Sequence, residues 1–65
     1  MEITYDKKAD AVYMEFSKNK FAKNKKIDDF TILDLDSNDK IIGIEFLDAS
    51  KRMPLKSFSE VNIRN

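Results

Sequence analysis

Sixty-five residues with 12 basic and 12 acidic side chains, no cysteine and no histidine make one small domain, and they exclude both a disulfide and the usual zinc ligand sets. A chain of this length buries only roughly 60% of the surface its unfolded form exposes, so its stability is marginal and a second chain is the expected reinforcement. No apolar run approaches a membrane span, and Met1–Asp6 lacks both the basic start and the apolar block of a signal peptide, so an intracellular, cytoplasmic protein is expected.

Period-two alternation runs through most of the chain. Ile3 and Tyr5 alternate with Glu2, Thr4 and Asp6; after the polar Lys7-Lys8-Ala9-Asp10, the run Ala11–Phe16 sets Val12, Met14 and Phe16 on one face. These two strands form a hairpin. Phe21–Ile27 is a weaker strand with lysines between its two large apolar ends, and Asp28-Asp29 is a turn. Phe30–Asp36 is a stronger strand with Thr31, Leu33 and Leu35 on its apolar face. Ser37-Asn38-Asp39 forms the next turn, because such side chains bond their own backbone and tolerate left-handed conformations. Ile41–Leu47 is the most apolar segment and is expected to be the central strand, with Ile42, Ile44 and Phe46 in the core beside Val12, Met14, Leu33 and Leu35.

The pattern then changes. Asp48 suits an N-cap, and Ala49–Met53 can make about one helical turn. Pro54 suits the start of a new helix, and Leu55, Phe58 and Val61 share a helical face, which favours a helix from Pro54 to Val61; Val61 and Ile63 fit a strand equally. The expected fold is therefore α+β: a single domain over residues 1–65, an antiparallel meander of four to five strands with one face under a short C-terminal helical segment.

Two stretches taken together, Thr4-Tyr5-Asp6 through Ala9-Asp10-Ala11-Val12-Tyr13 and Asp34-Leu35-Asp36 through Ile41–Arg52, resemble a small prokaryotic family of unknown function, the domain of unknown function 2283 or YuzE-like proteins. The resemblance extends to Met53 and implies a compact β-rich domain; it carries no activity and no catalytic residues. Relatives often have Gly where this chain has Asp39, and an acidic third strand where this one is rich in lysine.

Several constellations suggest chemistry. Asp34-Leu35-Asp36-Ser37-Asn38-Asp39 with Glu45 at the twelfth place imitates a calcium-binding helix-loop-helix, but Asp39 stands where that loop needs Gly and both flanks alternate like strands. The expectation is a hairpin with an acidic solvent face and no metal or other cofactor. Lys18, Lys20, Lys23, Lys25 and Lys26 form a basic stretch that could meet phosphates, with Phe21 and Phe30 to stack bases; protection of an edge strand explains the same lysines. Nothing places Ser17, Ser50, Ser57 or Ser59 beside a base, and Tyr5 and Tyr13 lie on strands, so no enzyme is expected.

The residues point first to a protein-interaction module that associates with itself, through a strand edge or the apolar helix face. A more specific version is antitoxin-like, with the acidic block Asp28–Asp48 masking a basic partner. The charged pair of strands, carrying Lys23, Lys25 and Lys26 on one and Asp34, Asp36 and Glu45 on the other, is the candidate interaction surface. The alternatives are a nucleic-acid binder using Lys18–Lys26 and, more remotely, a calcium-responsive protein.

Overall fold

The computed structural model describes residues 1–57 and 61–64. Six strands, β1 (Glu2–Asp6), β2 (Ala11–Glu15), β3 (Lys23–Asp28), β4 (Thr31–Leu35), β5 (Ile41–Phe46) and β6 (Val61–Arg64), form one sheet in the order β3-β4-β5-β2-β1-β6. A single helical turn, α1 (Ala49–Arg52), and a 3-10 turn (Leu55–Ser57) lie between β5 and β6. Among the described residues, no helix is long and apolar enough to cross a membrane.

The expected meander is corrected in three ways. There are six strands rather than four or five, β6 runs parallel to β1, and β2 pairs with β5 instead of β3. The physical reason lies in β3. All six of its residues are exposed, so it has little to bury and takes the edge, where its lysines guard the open backbone groups. β2 has an apolar face that needs neighbours on both sides, and β5 supplies it: Val12 stands opposite Phe46 and Met14 opposite Ile44. The link from β2 to β3 follows the end of the sheet, where Phe16 and Ser17 amides donate to the Ile42 carbonyl (2.8 and 3.2 Å) and the Ala22 amide donates to Leu35 (2.9 Å).

Register assembles the apolar face in lateral rows. One row reads Leu33, Ile44, Met14, Ile3, and the next Thr31, Phe46, Val12, Tyr5. Five of the seven expected core residues stand in these rows; Leu35 and Ile42 lie at a register shift after Asp34, and both are buried. Among the described apolar side chains only Val12, Leu35, Ile42 and Ala49 are buried, which is a thin core for a domain.

The predicted helix from Pro54 to Val61 is replaced by the 3-10 turn and by β6, which takes Val61; Phe58–Glu60 lie outside the described residues. Val61 and Ile63 stand beside Ile3 and Tyr5 in the parallel register, with Ile63 62% exposed. Asp48 does not cap α1 with its side chain; it adopts a left-handed conformation, φ 53°. The cap comes from Asp10, forty positions away in the β1–β2 turn. Its carboxylate accepts from the Ser50 amide (3.0 Å), the Ser50 hydroxyl (2.8 Å) and the Tyr5 hydroxyl (2.8 Å), and its carbonyl accepts from the Ala49 amide (2.9 Å). Arg52 holds the other side of the turn. Its guanidinium donates to the carbonyls of Phe30 and Leu47 and to the Thr31 hydroxyl (2.7 Å), and it lies 5.5 Å from the Phe46 ring centre. Thr31 and Phe46 belong to the apolar face, so α1 packs on that side of the sheet.

Asp36 organises the β4–β5 turn. One carboxylate oxygen accepts from the amides of Asn38 (2.9 Å) and Lys40 (3.0 Å), and the other from the Asn19 side chain (3.2 Å). The left-handed residue there is Asp39, φ 62°, a backbone state that Gly adopts without steric cost.

Two predictions follow from this framework. Ile42→Ala removes one of the few buried apolar side chains, and denaturant unfolding should show a loss of about 2–5 kcal/mol. The Ser50 hydroxyl beside Asp10 and the Lys40 amide beside Asp36 hold both carboxyls below their ordinary 3.8. The unfolded chain therefore binds more protons as acid is added, so their stabilisation is complete above the ordinary value and is lost as pH falls through the lower folded ones. Asp36→Asn keeps an acceptor oxygen for the turn but cannot titrate, and an acid-unfolding curve for that variant should be shallower than the parent's.

Candidate interaction surface

The opposite face of the sheet is uncovered by α1 and carries the alternate residues of the same strands. Its rows read Asp34, Gly43, Glu15, Glu2 and Ile32, Glu45, Tyr13, Thr4. A shallow groove of about 440 Å³ runs over β1, β2 and β5, with Glu2, Asp6, Glu15 and Glu45 around a floor that includes Ala11, Tyr13 and Leu47.

Tyr13 sets the shape of this face. A Cβ on Gly43 would lie 2.1 Å from the Tyr13 hydroxyl and 2.6 Å from its ring, so the ring lies across Gly43, reaching from β2 over β5 towards β4. Gly43 is the residue it is because an aromatic ring occupies the space of its side chain. Burial, and then the negative charge of Asp34, with Glu15 and Glu45 adding less, push the Tyr13 phenol above its ordinary value of 10.0. It stays a neutral hydrogen-bonding group across the physiological range.

The electrostatics of the face are one-sided. Glu2 stands directly opposite Glu15, an arrangement that costs a sheet stability unless a cation relieves it. Glu15 has Lys18 at 2.8 Å, on an exposed side chain. Among the described side chains Glu2, Asp34 and Glu45 have no ion-pair partner. Asp34 accepts from the Asn24 side chain (2.7 Å) and Asp6 from the amides of Lys8 (3.0 Å) and Ala9 (3.3 Å), which fixes both carboxylates.

The six residues singled out from the sequence are not gathered into one surface. Asp34 and Glu45 lie on this open face. Asp36 is buried under its turn, 5% exposed, with both oxygens engaged, so it is a structural group. Lys23 and Lys25 stand opposite Leu35 and Leu33, on the apolar side of the edge strand, whereas Lys26 stands opposite Ile32 on the open side. Lys23 pairs with Asp39 at 2.6 Å and Lys26 with Asp29 at 3.5 Å.

Sequence reasoning missed Glu2, Asp6, Glu15 and Tyr13. The signal was present in the same alternation that marked the core: Glu2-Thr4-Asp6 and Ala11-Tyr13-Glu15 are the complementary positions of β1 and β2. The calcium-loop imitation resolves into a hairpin in which Asp34 faces Gly43 and Glu45 faces Ile32 across paired strands. Among the described residues no group of three or more carboxylates is close enough to hold a metal ion. The Ser50 hydroxyl does meet a carboxylate, but that of Asp10 is held below its ordinary value, which makes it a poor proton acceptor.

The fold and this surface define a small, β-rich, single-sheet domain with a helical turn on one face and a charged open face on the other. The chain belongs to the family described as Protein of unknown function (DUF2283), whose model matches residues 2–50. That stretch covers β1 to the start of α1, so β6 lies beyond it. Neither the curated proteins nor the solved structures gave a match.

Gly43→Ala should displace the Tyr13 ring and cost about 1–3 kcal/mol, as overpacking does. In a Tyr13→Ala background the same substitution should cost little, because the three nearest atoms to the added Cβ all belong to Tyr13. A double-mutant cycle read by thermal unfolding measures the difference.

Proposed function

We propose that the protein is a non-catalytic interaction module that presents the carboxylate face of its sheet to a basic protein partner, in the antitoxin-like manner of a small acidic protein masking a basic surface. The observation that carries this is the opposition of Glu2 and Glu15 within a groove also lined by Asp6 and Glu45, on a face with no covering element among the described residues. Carboxylates crowded on an open surface, with Lys18 pairing to Glu15 alone, suit a site for a cationic group, since the partner lowers their remaining repulsion on binding. The apolar floor at Ala11 and Leu47 and the neutral Tyr13 hydroxyl suit an arginine or lysine side chain, whose aliphatic stem packs while its head meets a carboxylate.

The alternative, phosphate binding by the lysines, is less well supported. Lys23 and Lys25 fall on one side of the edge strand and Lys26 on the other, and Lys18, Lys23 and Lys26 each have an acidic neighbour. A nucleic acid would also approach a molecule whose open face repels it.

Binding of an arginine-rich peptide and of a duplex oligonucleotide, each followed over a salt series, separates the two. The parent should bind the peptide, weakening as salt rises. Glu15→Lys with Glu45→Lys, checked for folding, should slow association tenfold or more, because surface charge acts through encounter rates. Lys23→Glu with Lys25→Glu and Lys26→Glu should leave peptide binding intact. Oligonucleotide binding that disappears with the lysines, or a parent indifferent to the peptide at low salt, would overturn the proposal.

A further inference from the structure

One end of the sheet collects large apolar side chains that the fold leaves in water. β1, β3 and β5 begin there and β2 and β4 finish there, which brings Met1, Phe16, Phe21 and Ile41 to one rim, 79%, 48%, 50% and 50% exposed. Backbone bonds hold the rim in place: the Phe16 amide donates to Ile42, and the Ala22 amide, next to Phe21, donates to Leu35. A shallow groove of about 390 Å³ lies there, flanked by Met1 and Phe16.

We infer that this rim is the interface with a second copy of the chain, formed about a two-fold axis with Phe21 of each copy set against the Met1–Phe16 groove of the other. The groove borders the carboxylate face and shares Glu2 and Glu15 with it, so a second copy and a basic partner meet at that border. Area supports the choice of occupant. Taking roughly 200 Å² for each large side chain, the four leave on the order of 400 Å² of apolar surface exposed per copy. A standard interface buries about 800 Å² per partner, a little over half of it apolar, so the rim matches the apolar share of a specific dimer. Necessity supports it as well. Among the described apolar side chains only Val12, Leu35, Ile42 and Ala49 are buried, so the described core is thin, and another copy is the partner always present. The β3 edge is unsuited to the same task because two lysine-rich strands would meet. At the rim, by contrast, Lys18 pairs with Glu15 and Lys23 with Asp39, while Glu2 lines the groove beside Met1.

Sedimentation over a concentration series tests this. The parent should run as a dimer at tens of micromolar, with a melting temperature that rises with concentration. Phe16→Ser and Phe21→Ser lie outside the strands, and each should weaken self-association at least tenfold, since each removes both symmetry-related contacts. Ile27→Ser, at the other end of the sheet and 54% exposed in the parent, should leave it unchanged. Concentration-dependent amide shifts in the parent should be confined to Met1, Phe16, Phe21 and Ile41 and their neighbours, a readout that needs no variant. A parent monomeric throughout, a dimer indifferent to Phe16→Ser and Phe21→Ser, or shifts centred elsewhere would overturn it; binding of the arginine-rich peptide is read at concentrations where the chain is monomeric, because the two surfaces share Glu2 and Glu15.

Discussion

The pairing of β2 with β5 is the contact on which the rest of the structure depends. It sets Val12 against Phe46 and Met14 against Ile44, joining the β1–β2 hairpin to the β3–β4–β5 meander as one sheet. The same register has a consequence on the other face. Opposing Val12 to Phe46 necessarily opposes Tyr13 to Glu45 and Glu15 to Gly43, because side chains alternate with period two. The core and the carboxylate face are two readings of one alignment, and a slip by one residue would destroy both. It also exiles β3 to the edge, since β5 has only two sides and β2 and β4 take them.

The acidic side chains divide into two populations with different physics. Asp10 and Asp36 accept several hydrogen bonds each and sit at junctions, Asp10 joining the first turn to α1 and Asp36 closing the β4–β5 turn. Their ionised state is built into the fold, which is why their carboxyls are held low. Asp10, Asp39 and Asp48 also take left-handed backbone conformations, which a short polar side chain tolerates better than a branched one. Glu2, Glu15 and Glu45 belong to the second population. They project from strands, close no turn, and contribute charge rather than geometry. A function that needs negative charge is expected to use the second set, because removing the first would cost the fold.

Three surfaces thereby acquire distinct characters on a very small molecule. The β3 edge is guarded by lysines, the open face gathers carboxylates around Tyr13, and the rim at Phe16 and Phe21 exposes large apolar side chains. Net charge is zero, but the charges are sorted, so a partner meets a different chemistry from each direction.

The sequence by itself determined five of the six strands and the inward alternation of four of them. Alternation in Ile3–Tyr5, Val12–Phe16, Thr31–Leu35 and Ile42–Phe46 is local, and water enforces it regardless of partner strands. It also determined that β3 would be weak, and that Asp39 could turn left-handed. Pairing order, the cap of α1 and the composition of the carboxylate face were decided only by tertiary structure. Asp48 suits the cap by position because it precedes α1, yet the carboxylate that caps it is that of Asp10, forty residues before Ser50. The acidic block Asp28–Asp48 looked like the surface because its charges are close in sequence. In the sheet Asp36 turns inward, while Glu2 and Glu15, outside that block, join Asp34 in one row. Closeness along a strand sends neighbours to opposite faces, whereas lateral register brings distant residues together, and register is a property of pairs of strands that no single segment contains.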